Sequence, residues 1–195
     1  MVPPNENNVR DAIRKFDEES VIIERALQEL FRQYPTNDSE AHVLLKVVAL
    51  NGLYRTNILA VEDVARHIYQ QAEEVDSALK TGSPGIVDKI AKVTIAATQK
   101  ERHNWSFATK YCSWHNPGAY PIWDSRVCRY LTSLKDTPFA QPDRWERYAE
   151  FVALMASFRE HYRLDSFGFK DIDKFLWIYG AQDPPHTAAT AGAQI

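Results

Sequence analysis

Apolar residues recur at steps of three and four along almost the whole chain, and that spacing constrains the fold more than any other feature. Ile22, Ile23, Ala26, Leu27, Leu30 and Phe31 follow it, as do Val43, Leu44, Val47, Val48 and Leu50. Such positions share one side of a helix, whereas the residues of a half-buried strand alternate. No alternating β-branched run of any length stands out. The pattern predicts an all-α protein, with about nine to ten helices packed as one globule.

Punctuation residues set the expected boundaries. Asn8 is placed to cap a first helix carrying Val9, Ile13 and Phe16, and a second runs from about Ser20 to Tyr34. Pro35 to Ser39 interrupts the pattern, and Ser39 caps the next helix. Helices near Ala60–Gln70 and Glu73–Leu79 follow. Ser83 as N-cap, with Pro84 at the first helical position, opens a sixth that continues to about Gln99. Asp143 is placed to cap a long helix ending near Tyr162, and Asp171 to begin a last one, ended by Gly180. Residues 1–180 thus read as a single domain. The small, polar and proline-containing residues 181–195 read as a disordered tail.

Several classes are disfavoured at once. The start lacks a basic stretch followed by an apolar run, so no signal peptide is expected. No 18 apolar residues run together, so no membrane span is expected. Cys112 and Cys128 do not make a disulfide framework, and the expected location is cytoplasmic. Cys112 and His115 have the spacing of half a zinc module, but a second pair is missing, so neither metal nor cofactor is expected. The net charge of −3 argues mildly against nucleic acid, but it is an average. Between residues 92 and 135 stand Lys92, Lys100, Arg102, Lys110, Arg126, Arg129 and Lys135, against Glu101 and Asp124 alone. That stretch is either a solvated face or a basic stripe able to follow phosphates.

The same stretch carries the chemistry. Asn104 to Leu131 reads as helix, short Pro/Gly loop, helix. The first helix holds one lysine, Lys110, and the second starts at Asp124. A neutral amine can attack a sugar C1′ and form a Schiff base, provided burial or nearby cations ease the loss of its proton. A carboxylate at a helix N-cap stays ionised and has lone pairs left to face a cationic sugar. Each residue also has an ordinary reading, Lys110 as a solvated helix lysine and Asp124 as a plain cap. Asn would cap as well as Asp, so Asp124→Asn is expected to cost about 1 kcal/mol or less.

With these residues placed, the segment resembles the helix-hairpin-helix DNA glycosylases, closest to the branch of 8-oxoguanine DNA glycosylase and its bacterial OGG-like proteins. Thr109-Lys110 and Pro121-Ile-Trp-Asp124-Ser-Arg-Val127 carry the resemblance. Leu50 to Ile58 and Asp171 to Trp177 extend it. It implies an all-α fold, a hairpin that grips DNA backbone, base flipping and cleavage of an N-glycosidic bond, with β-lyase chemistry to follow. Lys110 would be the Schiff-base nucleophile and Asp124 the electrostatic stabiliser. The partner would be DNA, bound by a monomer. The family's glycine-containing hairpin turn would fall on Lys100 to Ser106, which contains no glycine.

Flipped bases are held between aromatic faces. Trp105, Trp114, His115 and Trp123 crowd the segment, and Trp177 can return from the last helix, so these five are the expected pocket. Trp105 has core packing as its competing role. Arg102, Arg126 and Arg129 are the expected contacts to DNA backbone. Asn51, Tyr54 and Asn57 lie at helical spacing and read as buried hydrogen-bonding residues. The alternative function is a non-catalytic helical DNA- or protein-binding protein on a glycosylase scaffold, for example in a defence system. A weaker third reading is a nuclease with His115 as general acid.

Overall fold

The computed structural model describes residues 1–142 and 145–180. Among them are nine helices and one two-stranded sheet. The order is α1 (Glu6–Gln33), α2 (Glu40–Tyr54), α3 (Val61–Tyr69), α4 (Ala72–Thr81), α5 (Gly85–Ala91), β1 (Lys92–Ile95), β2 (Lys100–His103), α6 (Trp105–His115), α7 (Ser125–Ser133), α8 (Tyr148–His161) and α9 (Phe169–Gly180). No described helix is long and apolar enough to cross a membrane.

The first two expected helices are one. Asn5, not Asn8, is the N-cap, and its side chain accepts from the Asn8 amide at 3.0 Å. Neither proline nor glycine interrupts residues 6–33, so the polar turn at Asp17–Ser20 stays helical. Ser39 caps α2 through the His42 amide as expected. Arg55 ends α2 in the left-handed conformation, at φ 49°. α8 begins at Tyr148, later than expected; the proposed cap Asp143 lies outside the described residues, as does the 181–195 tail. α9 begins two residues before Asp171, whose Oδ2 accepts from the Gly168 amide at 3.0 Å.

The largest departure follows α5. The sixth helix was expected to continue to Gln99, but it stops at Ala91 and an antiparallel hairpin takes over. Lys92 pairs with His103, Val93 with Arg102, Thr94 with Glu101 and Ile95 with Lys100. Val93 is buried while Lys92 and Thr94 are exposed, the period of two that marks a strand. Ser83 and Pro84 do not form the expected cap: Pro84 takes the N-cap position, without a side-chain bond.

One core runs through the molecule, from Val9 and Leu27 to Phe175 and Leu176. α6 passes through its middle. Seven consecutive residues of that helix, Phe107 to Ser113, are buried, as happens when a helix is covered on every side. α9 packs against both α1 and α7. At its end, a Cβ on Gly180 would lie 2.2 Å from the Arg126 carbonyl oxygen, so only glycine allows this approach.

Candidate functional site

Burial of α6 carries Lys110 into the interior. Its side chain is 6 % exposed and that of Asp124 is 11 % exposed. Lys110 Nζ lies 3.0 Å from Asp124 Oδ2 and donates to Ser106 Oγ, one turn earlier, at 2.9 Å. Asp124 divides its oxygens. Oδ1 accepts from the Arg126 and Val127 amides, both at 3.0 Å, and caps α7, while Oδ2 faces the ammonium. Cap and ion pair are therefore one carboxylate.

Neighbouring contacts explain how these residues meet. The Trp123 amide donates to Thr109 Oγ1 at 3.2 Å, which pins the peptide before Asp124 beside the residue before Lys110. Tyr148 Oη donates to the Pro121 carbonyl at 2.6 Å and holds the other end of the loop. The Thr-Lys and Pro-x-x-Asp elements form one cross-braced unit.

Lys110 and Asp124 line a cavity of about 820 Å³. Phe16 and Glu24 of α1 form part of its wall, with Tyr54, Trp123, Arg126 and Trp177. Trp177 meets Phe16 edge-on at 5.3 Å, and the Arg126 guanidinium lies 3.7 Å from its ring centroid. The loop after α2 closes one side. Asn51 braces it by donating to the Ile58 carbonyl and accepting from the Ile58 amide, both at 2.9 Å. Asn57, expected to be a buried helical residue, instead lies in this loop at φ 58° and lines the cavity.

Of the five expected pocket residues, only Trp123 and Trp177 line the cavity. Trp105 meets Trp145 edge-on at 4.7 Å. Trp114 stacks on Phe31 and lies under the Lys170 ammonium, 3.9 Å from its ring centroid. His115 does not line the cavity, and its Nε2 lies 3.3 Å from Lys46 Nζ. Burial and that ammonium push its imidazole down to about 3, which removes it as a general acid near neutral pH. Its partner Lys46 is a structural cation: Nζ donates to the Tyr34 and Thr36 carbonyls and to Asn37 Oδ1, and burial lowers its ammonium to about 8.

The three arginines separate in the same way. Arg126 lines the cavity rather than an outer face. Arg129 donates to the Gly180 carbonyl at 3.2 Å, a bond that ties α7 to the end of α9. Arg102 stands exposed on β2. The residues missed are carboxylates and an aromatic from distant helices. Glu24 accepts from Tyr54 Oη and pairs with Lys170 at 3.3 Å. Burial raises the Tyr54 phenol well above its ordinary range, with Glu24 adding to it. Asp173 is buried near the ion pair, and burial first, then the charge of Asp124, lifts its carboxyl to about 7.

Fold and site together define a helical domain with a buried lysine–aspartate pair at the wall of an aromatic-lined cavity. The chain belongs to the HI_0787_N family, an N-terminal domain family whose model matches residues 8–119. It is similar to a Haemophilus influenzae protein described as an uncharacterized protein, 37 % identical over 136 residues. That alignment covers 68 % of this chain and 63 % of the relative, so the chain spans less than two thirds of the relative's length. No solved structure matches.

Proposed function

We propose that this protein is a DNA base-excision glycosylase that cleaves the N-glycosidic bond of a damaged or modified base, of the 8-oxoguanine type. The observation that carries this reading is the Lys110–Asp124 pair, buried at 3.0 Å in the wall of the cavity. An isolated ion pair of this kind is a poor stabilising device, because desolvation offsets most of its attraction. Its position in an open cavity fits a reactive role. The volume of about 820 Å³ lies within the usual range for ligand pockets.

In this reading the flipped base enters between Trp123 and Trp177, with the Arg126 fork beside it. C1′ approaches Lys110 Nζ. The Asp124 carboxylate, held by two amides, stabilises positive charge as it grows on the sugar. Attack by the amine releases the base and leaves a Schiff base, from which β-elimination can cut the strand. The β-hairpin stands where the family's glycine hairpin would stand, and it presents Lys100 and Arg102 to DNA phosphates. That substitution also favours a second reading, a non-catalytic DNA-binding protein on the same scaffold.

One experiment separates the two. The protein is incubated with duplex oligonucleotides carrying 8-oxoguanine, in the presence of borohydride. The expected result is a covalent adduct mapped to Lys110, and none with Lys110→Gln. A wild-type protein that binds the DNA without an adduct favours the binding reading. Full crosslinking by the variant removes Lys110 as nucleophile.

A further inference from the structure

One stripe of α1 forms a wall of the cavity: Phe16, Ser20, Ile23 and Glu24 line it at i, i+4, i+7 and i+8. Among the described residues, Glu24 and Asp124 are the carboxylates of that lining. Asp124 is committed to its capping amides and to Lys110. Glu24 takes no part in the Lys110 chemistry, and its side chain is 19 % exposed.

Two neighbours fix Glu24 without exhausting it. Tyr54 donates its hydroxyl to Oε1, and burial first, then Glu24 itself, keeps that phenol protonated. The Lys170 ammonium straddles the carboxylate, 3.5 Å from Oε1 and 3.3 Å from Oε2. An ionised carboxyl accepts at about four lone-pair sites, so capacity remains for the N–H groups of a ligand. Tyr54 also relates Glu24 to the reactive pair. Lys110 Nζ lies 6.0 Å from the centroid of its ring, so one tyrosine side chain spans the gap between Lys110 and Glu24. A nucleoside has the same layout, with C1′ on one side of the base and its Watson–Crick edge on the other.

We propose that Glu24 is the specificity-determining residue of the cavity and accepts N1–H and the 2-amino group of a guanine-type base. The proposal rests on the glycosylase reading of this cavity. Among the common bases, only guanine sets two N–H donors side by side on that edge. Adenine and cytosine put a ring-nitrogen acceptor beside their amino group, and its lone pair would face the carboxylate. Thymine and uracil flank a single N–H with two carbonyls. A site built to bond such groups rejects a base that lacks them, because its own polar atoms are then left unpaired. Arg126, beside Trp177, carries N–H donors alone and suits the carbonyl oxygens of the same base.

The test compares the full-length wild type with Glu24→Gln, whose amide oxygen can still accept from Tyr54 while its NH2 opposes a donor edge. In one arm, tryptophan fluorescence follows the binding of three nucleosides. These are 8-oxo-2′-deoxyguanosine, 8-oxo-2′-deoxyinosine, which lacks the 2-amino group, and 8-oxo-2′-deoxyadenosine. In the other, single-turnover base release is measured on duplexes carrying the same three bases. Wild type should favour the guanosine form at least about tenfold over either competitor, and Glu24→Gln should bring the ratio within about threefold. The ratio is internal to each protein, so partial unfolding of the variant lowers all three alike. A wild type without preference overturns the assignment. If Glu24→Gln keeps the ratio while wild type releases 8-oxoguanine, the glycosylase stands and Glu24 does not read its base. If the nucleoside ratio collapses in Glu24→Gln but wild type releases no base, Glu24 reads the edge and the glycosylase reading falls.

Discussion

Asp173→Asn makes a prediction about stability that needs no substrate. In the unfolded chain an aspartate titrates near 3.8, and burial lifts Asp173 to about 7 in the fold. The folded state therefore binds this proton more tightly. The associated stability is fully present below 3.8 and is lost as pH rises towards and past 7. Between pH 5 and pH 8 the two titrations differ by about 2–3 kcal/mol of lost stability. The wild-type curve alone conceals this loss. His115, depressed to about 3, contributes in the opposite sense, because its stability is lost as pH falls below 6.5. Over the same window it gains about 2 kcal/mol. The variant keeps His115 and removes the titrating carboxyl, so its difference from wild type isolates Asp173. Urea titrations followed by tryptophan fluorescence at the two pH values supply that difference. Asp173→Asn should gain about 2–3 kcal/mol on wild type from pH 5 to pH 8, roughly 5–10 °C in Tm for a chain of this size. A change below about 0.5 kcal/mol would mean that Asp173 titrates as an exposed carboxylate, and the buried-acid reasoning would be wrong.

The structure changes what is expected of Asp124. From the sequence, Asp124→Asn is a harmless exchange of one cap for another, but in the fold it leaves a buried ammonium without its carboxylate. The variant should lose about 2–4 kcal/mol in urea titration and recover most of it when Lys110→Met is added. A loss of 1 kcal/mol or less, about the size of a cap alone, would contradict that pairing. In DNA assays the same variant should release base roughly a hundredfold more slowly. On the hairpin, Lys100→Ala and Arg102→Ala should each weaken DNA binding across sequences and reduce the salt dependence by about one counterion. Unchanged slopes would place the phosphate contacts elsewhere.

Local chemistry was open to reading because each signal depends on residues close in the chain. Ser39 and Asp124 cap helices since a short acceptor two or three residues before free amides has few other outlets. Lys110 and Asp124 were paired from fourteen residues of separation, and the contacts through Thr109 and Tyr148 realise that pairing. The hairpin escaped because Val93 stands three residues after Ile90 and so continues the helical run from Ile86, while the strands are only four residues long. A strand of four residues offers too few positions for its alternation to stand out against the helical run before it.

What the sequence by itself determined is the helical class, most element types and the pairing of Lys110 with Asp124. Tertiary structure alone decided which aromatics reach the cavity. Trp114, His115 and Trp123 are close in sequence, yet α6 is covered on all sides, and its successive residues face different neighbours. His115 meets Lys46, Trp114 meets Lys170, and only Trp123, beyond the helix, lines the cavity. The same holds for Glu24, Phe16 and Asp173. In one dimension they are ordinary residues of amphipathic helices, and nothing nearby distinguishes a buried carboxylate from a solvated one. Packing of α9 against α1 and α7 brings them to the ion pair. Burial then gives Asp173 its unusual acidity, because the cost of a charge depends on what surrounds it in space and not on its place in the chain.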